Sequence, residues 1–219
     1  MPLLMCDLDD TLVERPPLFR AWAEEFLAEH GFDPGLVEWL VEQDRGGHRP
    51  RGEFLAAIAE RTGYDVPAER FVAEFSDRIG HAYRLTPGVH QALAEVRGAG
   101  WKFAVVTNGP VSTQHSKVVA TGLDRLADAV CIAGEVGVSK PGALMFTEAA
   151  RRAGTTLDGA WMIGDNLDAD IAGAQGVGAR TVWVKREYDW LTYSSGVEPD
   201  LLADDFPQAV RRVLDATAG

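Results

Sequence analysis

Residues 3–13 run from an apolar stretch, Leu3, Leu4, Met5 and Cys6, straight into Asp7, Asp9 and Asp10, and then Thr11. Carboxylates this crowded repel one another and lose solvent, which is costly unless a cation compensates them. A hard divalent ion held by oxygens gives that relief, and Mg²⁺ favours one or two protein carboxylates plus phosphate oxygens. The plainer alternative is a strand that ends in a solvated, N-capping acidic turn. The apolar run reads as a buried, central parallel strand. Side chains alternate along a strand, so Asp7 and Asp9 are expected to lean one way while Leu8 returns to the core.

Three later stretches carry groups of matching chemistry. Val105-Val106-Thr107-Asn108-Gly109 ends a second apolar run, where a hydroxyl and free backbone N–H groups suit phosphoryl oxygens. Taken alone, Thr107-Asn108-Gly109 reads better as a simple turn leading to an N-cap. Lys140 stands before Pro141, which holds it extended and is suited to open a helix. Such a lysine either binds phosphate and offsets the aspartates or is ordinary surface. Met162-Ile163-Gly164-Asp165 leads into Asp168 and Asp170, acids that capping and the helix dipole also explain. Each group falls at the end of an expected strand, and one Mg²⁺–phosphate centre accounts for all of them.

The whole chain limits the partners. Its 219 residues suffice for a full core, as one domain or a core with a smaller module, and its 46% apolar and 25% charged content is ordinary for a globular protein. A formal charge of −12 argues against nucleic acid and anionic membrane. Cys6 and Cys131 lie inside apolar runs and read as buried free thiols in a reducing compartment. No window reaches transmembrane length and no leader pattern opens the sequence, so a cytoplasmic protein is expected.

The periodicity assigns the elements. Leu18, Trp22 and Phe26 recur every four residues, and further helical stripes run through Leu36–Val41, Phe54–Ile58 and Phe71–Ile79. Residues of about 15–85 thus form a helical block of four helices. Thr86-Pro87-Gly88 suggests an N-cap with proline at the first helical position. Beyond it, strands are expected at 103–106, 129–132, 161–163 and 181–184, with helices near 111–121, 142–153, 167–174 and 206–216. That alternation predicts an α/β domain, a parallel sheet with helices on both faces, that also includes the strand at 3–8. Open sheets of this kind bind ligands at the carboxyl ends of their strands. The stretch 186–199, with Trp190 and Tyr193, reads as a loop.

Taken together, Asp7-Leu8-Asp9-Asp10-Thr11, Thr107-Asn108, Lys140, and Gly164-Asp165 with Asp170 resemble, in order, the four motifs of the haloacid dehalogenase-like (HAD) hydrolase superfamily. The resemblance implies a Rossmannoid catalytic core over 1–14 and 86–219, with 15–85 as an inserted four-helix cap of the C1 kind. Dehalogenases of the family lack an acid at the position of Asp9, so phosphoryl transfer is implied. Asp7 would be the nucleophile that forms an aspartyl-phosphate, and Asp9 the acid and base, a double role that needs a raised pKa. Mg²⁺ would be held by the Asp7 carboxylate, the Asp9 carbonyl and Asp165. Thr107, the Asn108 N–H and Lys140 would stabilise the phosphoryl charge, with Asp170 orienting Lys140 or a metal-bound water. Asn166 stands where the family often has serine or another small residue.

Substrate choice is expected in the cap. Asp44-Arg45-Gly46-Gly47-His48-Arg49-Pro50-Arg51 concentrates basic side chains in an acidic chain. Arg45, His48 or Arg51 is a candidate contact for an anionic or polar part of the substrate; alternatively these arginines pair with Glu42, Asp44 and Glu53. The implied activity is a Mg²⁺-dependent phosphatase, monomer or homodimer, acting on a small phosphorylated metabolite. A phosphomutase of the β-phosphoglucomutase type and a catalytically silent binding protein are the alternatives.

Overall fold

A computed structural model describes residues 1–47, 49–186 and 196–217, so His48 and the aromatic pair Trp190 and Tyr193 lie outside the described residues. The described residues divide into two compact units, Met1–Val13 with Arg84–Gly219, and Glu14–Tyr83.

The first unit is built on a parallel sheet of six strands among the described residues, in the order β3-β2-β1-β4-β5-β6. These are β1 (Leu3–Cys6), β2 (Lys102–Thr107), β3 (Ala129–Ile132), β4 (Trp161–Gly164), β5 (Arg180–Val184) and β6 (Leu201–Ala203). Every residue of β1 is buried, as an apolar run with no polar break requires of a strand covered on both faces. Its helices are α5 (Val89–Gly98), α6 (Val111–Thr121), α7 (Leu123–Leu126), α8 (Ala133–Val136), α9 (Ala143–Arg152), α10 (Gly173–Gln175) and α11 (Phe206–Thr217). The period-two alternation of the strands sorts the core. Leu3, Met5, Ala104, Val106, Cys131 and Met162 join Met145, Phe146 and Ala149 of α9 in one cluster. On β2 the intervening Phe103 meets Phe206 of α11 edge-on at 6.3 Å. Both thiols are buried and free.

Differences from the sequence reading have local causes. β1 stops at Cys6, because Leu12 and Val13 donate back to the Leu8 carbonyl and turn the chain away. Asp10 takes a left-handed conformation within that turn, φ 58°. The helix expected to open at Thr86-Pro87 begins at Val89, since Gly88 at φ 82° cannot continue a right-handed helix. Pro141 likewise does not open α9; it precedes the N-cap Gly142 and follows Lys140 through a cis peptide bond. The stretch after Asp165 is a π-helix over Leu167–Ala172 before α10. β6 was not anticipated: three residues at the sheet edge, one of them buried, leave too short a pattern to read.

The second unit holds α1 (Arg15–His30), α2 (Val37–Asp44), α3 (Arg51–Thr62) and α4 (Ala68–Ala82). Its core is aromatic, with Trp22 stacked on Phe26 at 5.1 Å and meeting Phe75 edge-on at 4.7 Å. No helix among the described residues is long and apolar enough to cross a membrane.

Candidate active site

The strand order places β1 between β2 and β4, so the chain crosses from one half of the sheet to the other beside β1. Ligands of open α/β sheets gather at that switch point, beyond the carboxyl ends of the strands. Asp7 follows β1 there, its N–H donating to the Ile163 carbonyl at 2.9 Å. Thr107 ends β2, and Gly164-Asp165 ends β4.

Lys140 ties these strand ends together. Its ammonium, 5% exposed, donates to Asp7 Oδ1 at 2.5 Å and to the Val106 carbonyl at 2.7 Å, and pairs with Asp170 Oδ1 at 2.6 Å. Two of its three N–H groups donate in these bonds, and the contact with Asp170 is an ion pair. Burial works against the charged lysine, yet Asp170 and Asp7 outweigh it and hold Lys140 above its ordinary value. The Asn108 side chain fixes the lysine's backbone: Oδ1 accepts from the Lys140 N–H at 2.8 Å, and Nδ2 donates to its carbonyl at 3.1 Å.

Carboxylates crowd the other side. Oxygens of Asp7, Asp165 and Asp170 all lie within 4.8 Å of one another. Burial pushes the Asp7 carboxyl up to about 7, Lys140 opposing it and Asp170 and Asp9 adding to it. Burial likewise holds Asp165 well above its ordinary value, with Asp7, Asp170 and Asp10 adding to it. Three carboxylates stand against the one ammonium of Lys140, Asp7 and Asp170 buried and Asp165 half-buried, in a cluster whose donors are all oxygen. That is the deficit and donor set a hard divalent cation satisfies, so the residues fit Mg²⁺.

Neighbouring groups fix the acids in place. The Trp183 indole N–H donates to the Asp165 carbonyl at 2.7 Å, and Arg186 Nε to the Asp10 carbonyl at 2.8 Å. Asp170 Oδ2 accepts the Asn166 N–H at 3.1 Å, and Asn166 caps the π-helix by accepting from Asp168 and Ala169. Gly164 has a steric reason, since a Cβ there would stand 2.3 Å from Asp170 Oδ2.

Asp9 has partners the sequence reading missed. Lys117 donates to both of its carboxylate oxygens at 2.7 Å, and Gln114 donates to Oδ2 at 2.9 Å and to Thr107 Oγ1 at 2.6 Å. No local pattern marks these two residues, which sit three apart on one face of α6.

The basic stretch of the helical unit is distributed differently from the residues of the sheet centre. Arg51 Nη1 donates to Asp44 Oδ1 at 2.7 Å, and Arg15 grips both oxygens of the same carboxylate. Arg45 is exposed with φ 51° at the end of α2.

The fold and this cluster define the class: a Rossmannoid α/β protein with a carboxylate and lysine centre at its switch point. The family follows from comparison with known proteins. Residues 1–178 match the model of the haloacid dehalogenase-like hydrolases, and the chain belongs to that family. It is 32% identical to phosphoserine phosphatase of Thermus thermophilus, over 85% of this chain and 89% of that one. It is also 32% identical to ribulose-1,5-bisphosphate 5-phosphatase of Halopiger xanaduensis, over 82% of each. Among solved structures, the magnesium-bound HAD hydrolase YfnB of Bacillus subtilis shares its fold with a TM-score of 0.77 at 20% identity, covering 97% of this chain and 98% of that one. The chain is an enzyme of the HAD phosphatase kind, a phosphoric monoester hydrolase.

Proposed function

We propose that this chain is a Mg²⁺-dependent phosphatase that hydrolyses a small phosphorylated metabolite through an aspartyl-phosphate. The observation that carries the reading is the carboxylate cluster of Asp7, Asp165 and Asp170, balanced only in part by Lys140. The Asp7 and Asp165 carboxylates and the Asp9 carbonyl are the groups assigned to the metal. When bound, Mg²⁺ supplies positive charge against the phosphoryl oxygens and against the crowded acids.

In the first half-reaction an Asp7 oxygen attacks phosphorus. The ester P–O bond breaks, its electron pair stays on the leaving oxygen, and that oxygen takes a proton from Asp9. In the second, Asp9 takes a proton from water as the water oxygen attacks phosphorus. The bond to Asp7 then breaks, returning the carboxylate and releasing inorganic phosphate. Thr107, the Asn108 N–H and Lys140 stabilise charge on the transferring group, and Asp170 keeps Lys140 in place. Glu14–Tyr83 is assigned as the cap, whose stretch Arg45–Arg51, with His48, sets substrate choice. The relatives' named substrates, phosphoserine and ribulose 1,5-bisphosphate, are small phosphorylated metabolites, which supports that class.

The test is phosphate release from a panel of phosphomonoesters with and without Mg²⁺. Wild-type protein should turn over at least one ester only with the metal. Asp7→Asn should lose roughly 10⁴-fold or more, as expected when a covalent nucleophile is removed. Metal-independent turnover, or an Asp7→Asn variant as active as wild type, would overturn the reading.

A further inference from the structure

Lys117 and Gln114 are buried polar side chains for which the reaction as written has no use. They are 5% and 2% exposed, and burying an ammonium and an amide is costly unless each finds partners. Their positions three apart on α6 put both on one helix face, and side chains tilt toward the helix N-terminus, here the end nearest Thr107. That tilt carries them back to the carboxyl end of β2. There Lys117 reaches both oxygens of Asp9, and Gln114 uses its two N–H groups on Asp9 Oδ2 and Thr107 Oγ1.

The contacts fix an orientation. Lysine and the amide nitrogen only donate, so the oxygens they meet on Asp9 are acceptors, and three donor contacts confine the carboxylate to one orientation. The Gln114 contact also occupies the Thr107 oxygen as acceptor, while the Thr107 O–H donates to the Asn108 carbonyl at 3.4 Å. The side chain assigned to proton transfer and the hydroxyl assigned to the phosphoryl group are thereby locked together through one amide.

We propose that Lys117 and Gln114 are positioning residues that orient the Asp9 carboxyl for its proton transfer in hydrolysis of the aspartyl-phosphate. The inference rests on the phosphatase reading and deepens it by assigning the pair to the second half-reaction. There a held acceptor must meet water and phosphorus in one geometry, and a misplacement of about 1 Å costs on the order of 100-fold.

The experiment is rapid-mixing kinetics with p-nitrophenyl phosphate and Mg²⁺ on wild type, Lys117→Met, Lys117→Arg and Gln114→Leu. In Lys117→Met and Gln114→Leu, p-nitrophenolate should appear in a burst near one equivalent at close to the wild-type rate. Steady-state turnover should then be about 10–100-fold slower, with acid-stable phosphoenzyme accumulating and Mg²⁺ affinity unchanged. Lys117→Arg, which still offers two N–H groups, should recover part of the loss. Turnover within threefold of wild type in folded variants overturns the inference. So does a parallel loss of burst and steady state without phosphoenzyme, which marks a structural role. Gln114→Leu removes no charge and carries the test alone if Lys117→Met does not fold. A wild-type protein inert with Mg²⁺ across the whole phosphomonoester panel removes the phosphatase reading and this inference together; an active wild type with unaffected variants removes only the inference.

Discussion

Asp7, Asp165 and Asp170 set three carboxylates against the one ammonium of Lys140, whereas in the helical unit Asp44 faces the two guanidiniums of Arg15 and Arg51. The two clusters are similarly buried and carry opposite excess charge. The helical cluster disposes of its excess locally: Arg15 lies over Phe19 at 5.2 Å, and Arg51 over Phe75 at 4.7 Å, where the ring faces attract a cation. Burial holds Arg51 below its ordinary value and Asp44 opposes that, so its tie to Asp44 is the main compensation. In the sheet cluster one ammonium is shared between Asp7 and Asp170, and burial raises two of the three carboxyls. One arrangement is closed within its unit. The other has the oxygen donor set of the proposed Mg²⁺ site.

Removing Asp44 is the strongest way to break that contrast. Asp44→Ala leaves the buried Arg15 and half-buried Arg51 guanidiniums without their shared carboxylate and should cost about 3–5 kcal/mol, as loss of one partner of a buried ion pair does. Urea unfolding followed by circular dichroism checks it. A cost below about 1 kcal/mol would reduce the cluster to the standing of a surface pair.

A smaller effect should appear when the sheet cluster is titrated without metal. Asp7 moves from an ordinary value of 3.8 to about 7 on folding, and Asp165 shifts the same way. Between those limits the folded chain binds more protons than the unfolded chain, so stability falls as pH rises through the window. Lys140 is shifted upward above this window, and the lowered Asp128 acts below it, so neither changes the sign. Melting temperature of the metal-free protein should drop by roughly several degrees from pH 4.5 to 7. Added Mg²⁺ should flatten the slope by favouring the ionised carboxylates. A melting temperature that rises across this range without metal would contradict the assignment.

The smallest effect belongs to a partly exposed pair. Lys102 Nζ meets Asp128 Oδ1 at 2.7 Å with 31% and 28% of the side chains exposed. Lys102→Ala should cost at most about 1 kcal/mol in the same urea assay, because solvent already screens the attraction. A cost matching that of Asp44→Ala would show that burial is not what separates these sites.

Much of the site was legible because it lies where local patterns end. Apolar runs mark β1, β2 and β4, and Asp7, Thr107 and Asp165 stand at their tips. Lys140 before Pro141 was legible as a fixed lysine, though the proline does not open α9. The Asn108 clamp on Lys140 spans 32 residues and left no local trace. Gln114 and Lys117 were hidden more deeply, since their contacts with Asp9 cross 105 and 108 residues and on α6 they look like ordinary polar positions. Arg51 was open to two readings, a substrate contact or a pairing with a nearby acid, and its guanidinium donates to Asp44 seven residues away.

By itself the sequence determined the alternation of strands and helices, the helical block within it, and the acids and lysine at the strand ends. These follow from periodicity and chain-local chemistry, which fold within a few residues of themselves. Tertiary structure alone decided which groups touch: Lys140 between Asp7 and Asp170, Gln114 bridging Asp9 and Thr107, and Gly164 yielding its Cβ space to Asp170. The physical reason is that burial and the pairing of charges depend on which distant segments the sheet brings side by side, and no stretch of chain specifies that alone.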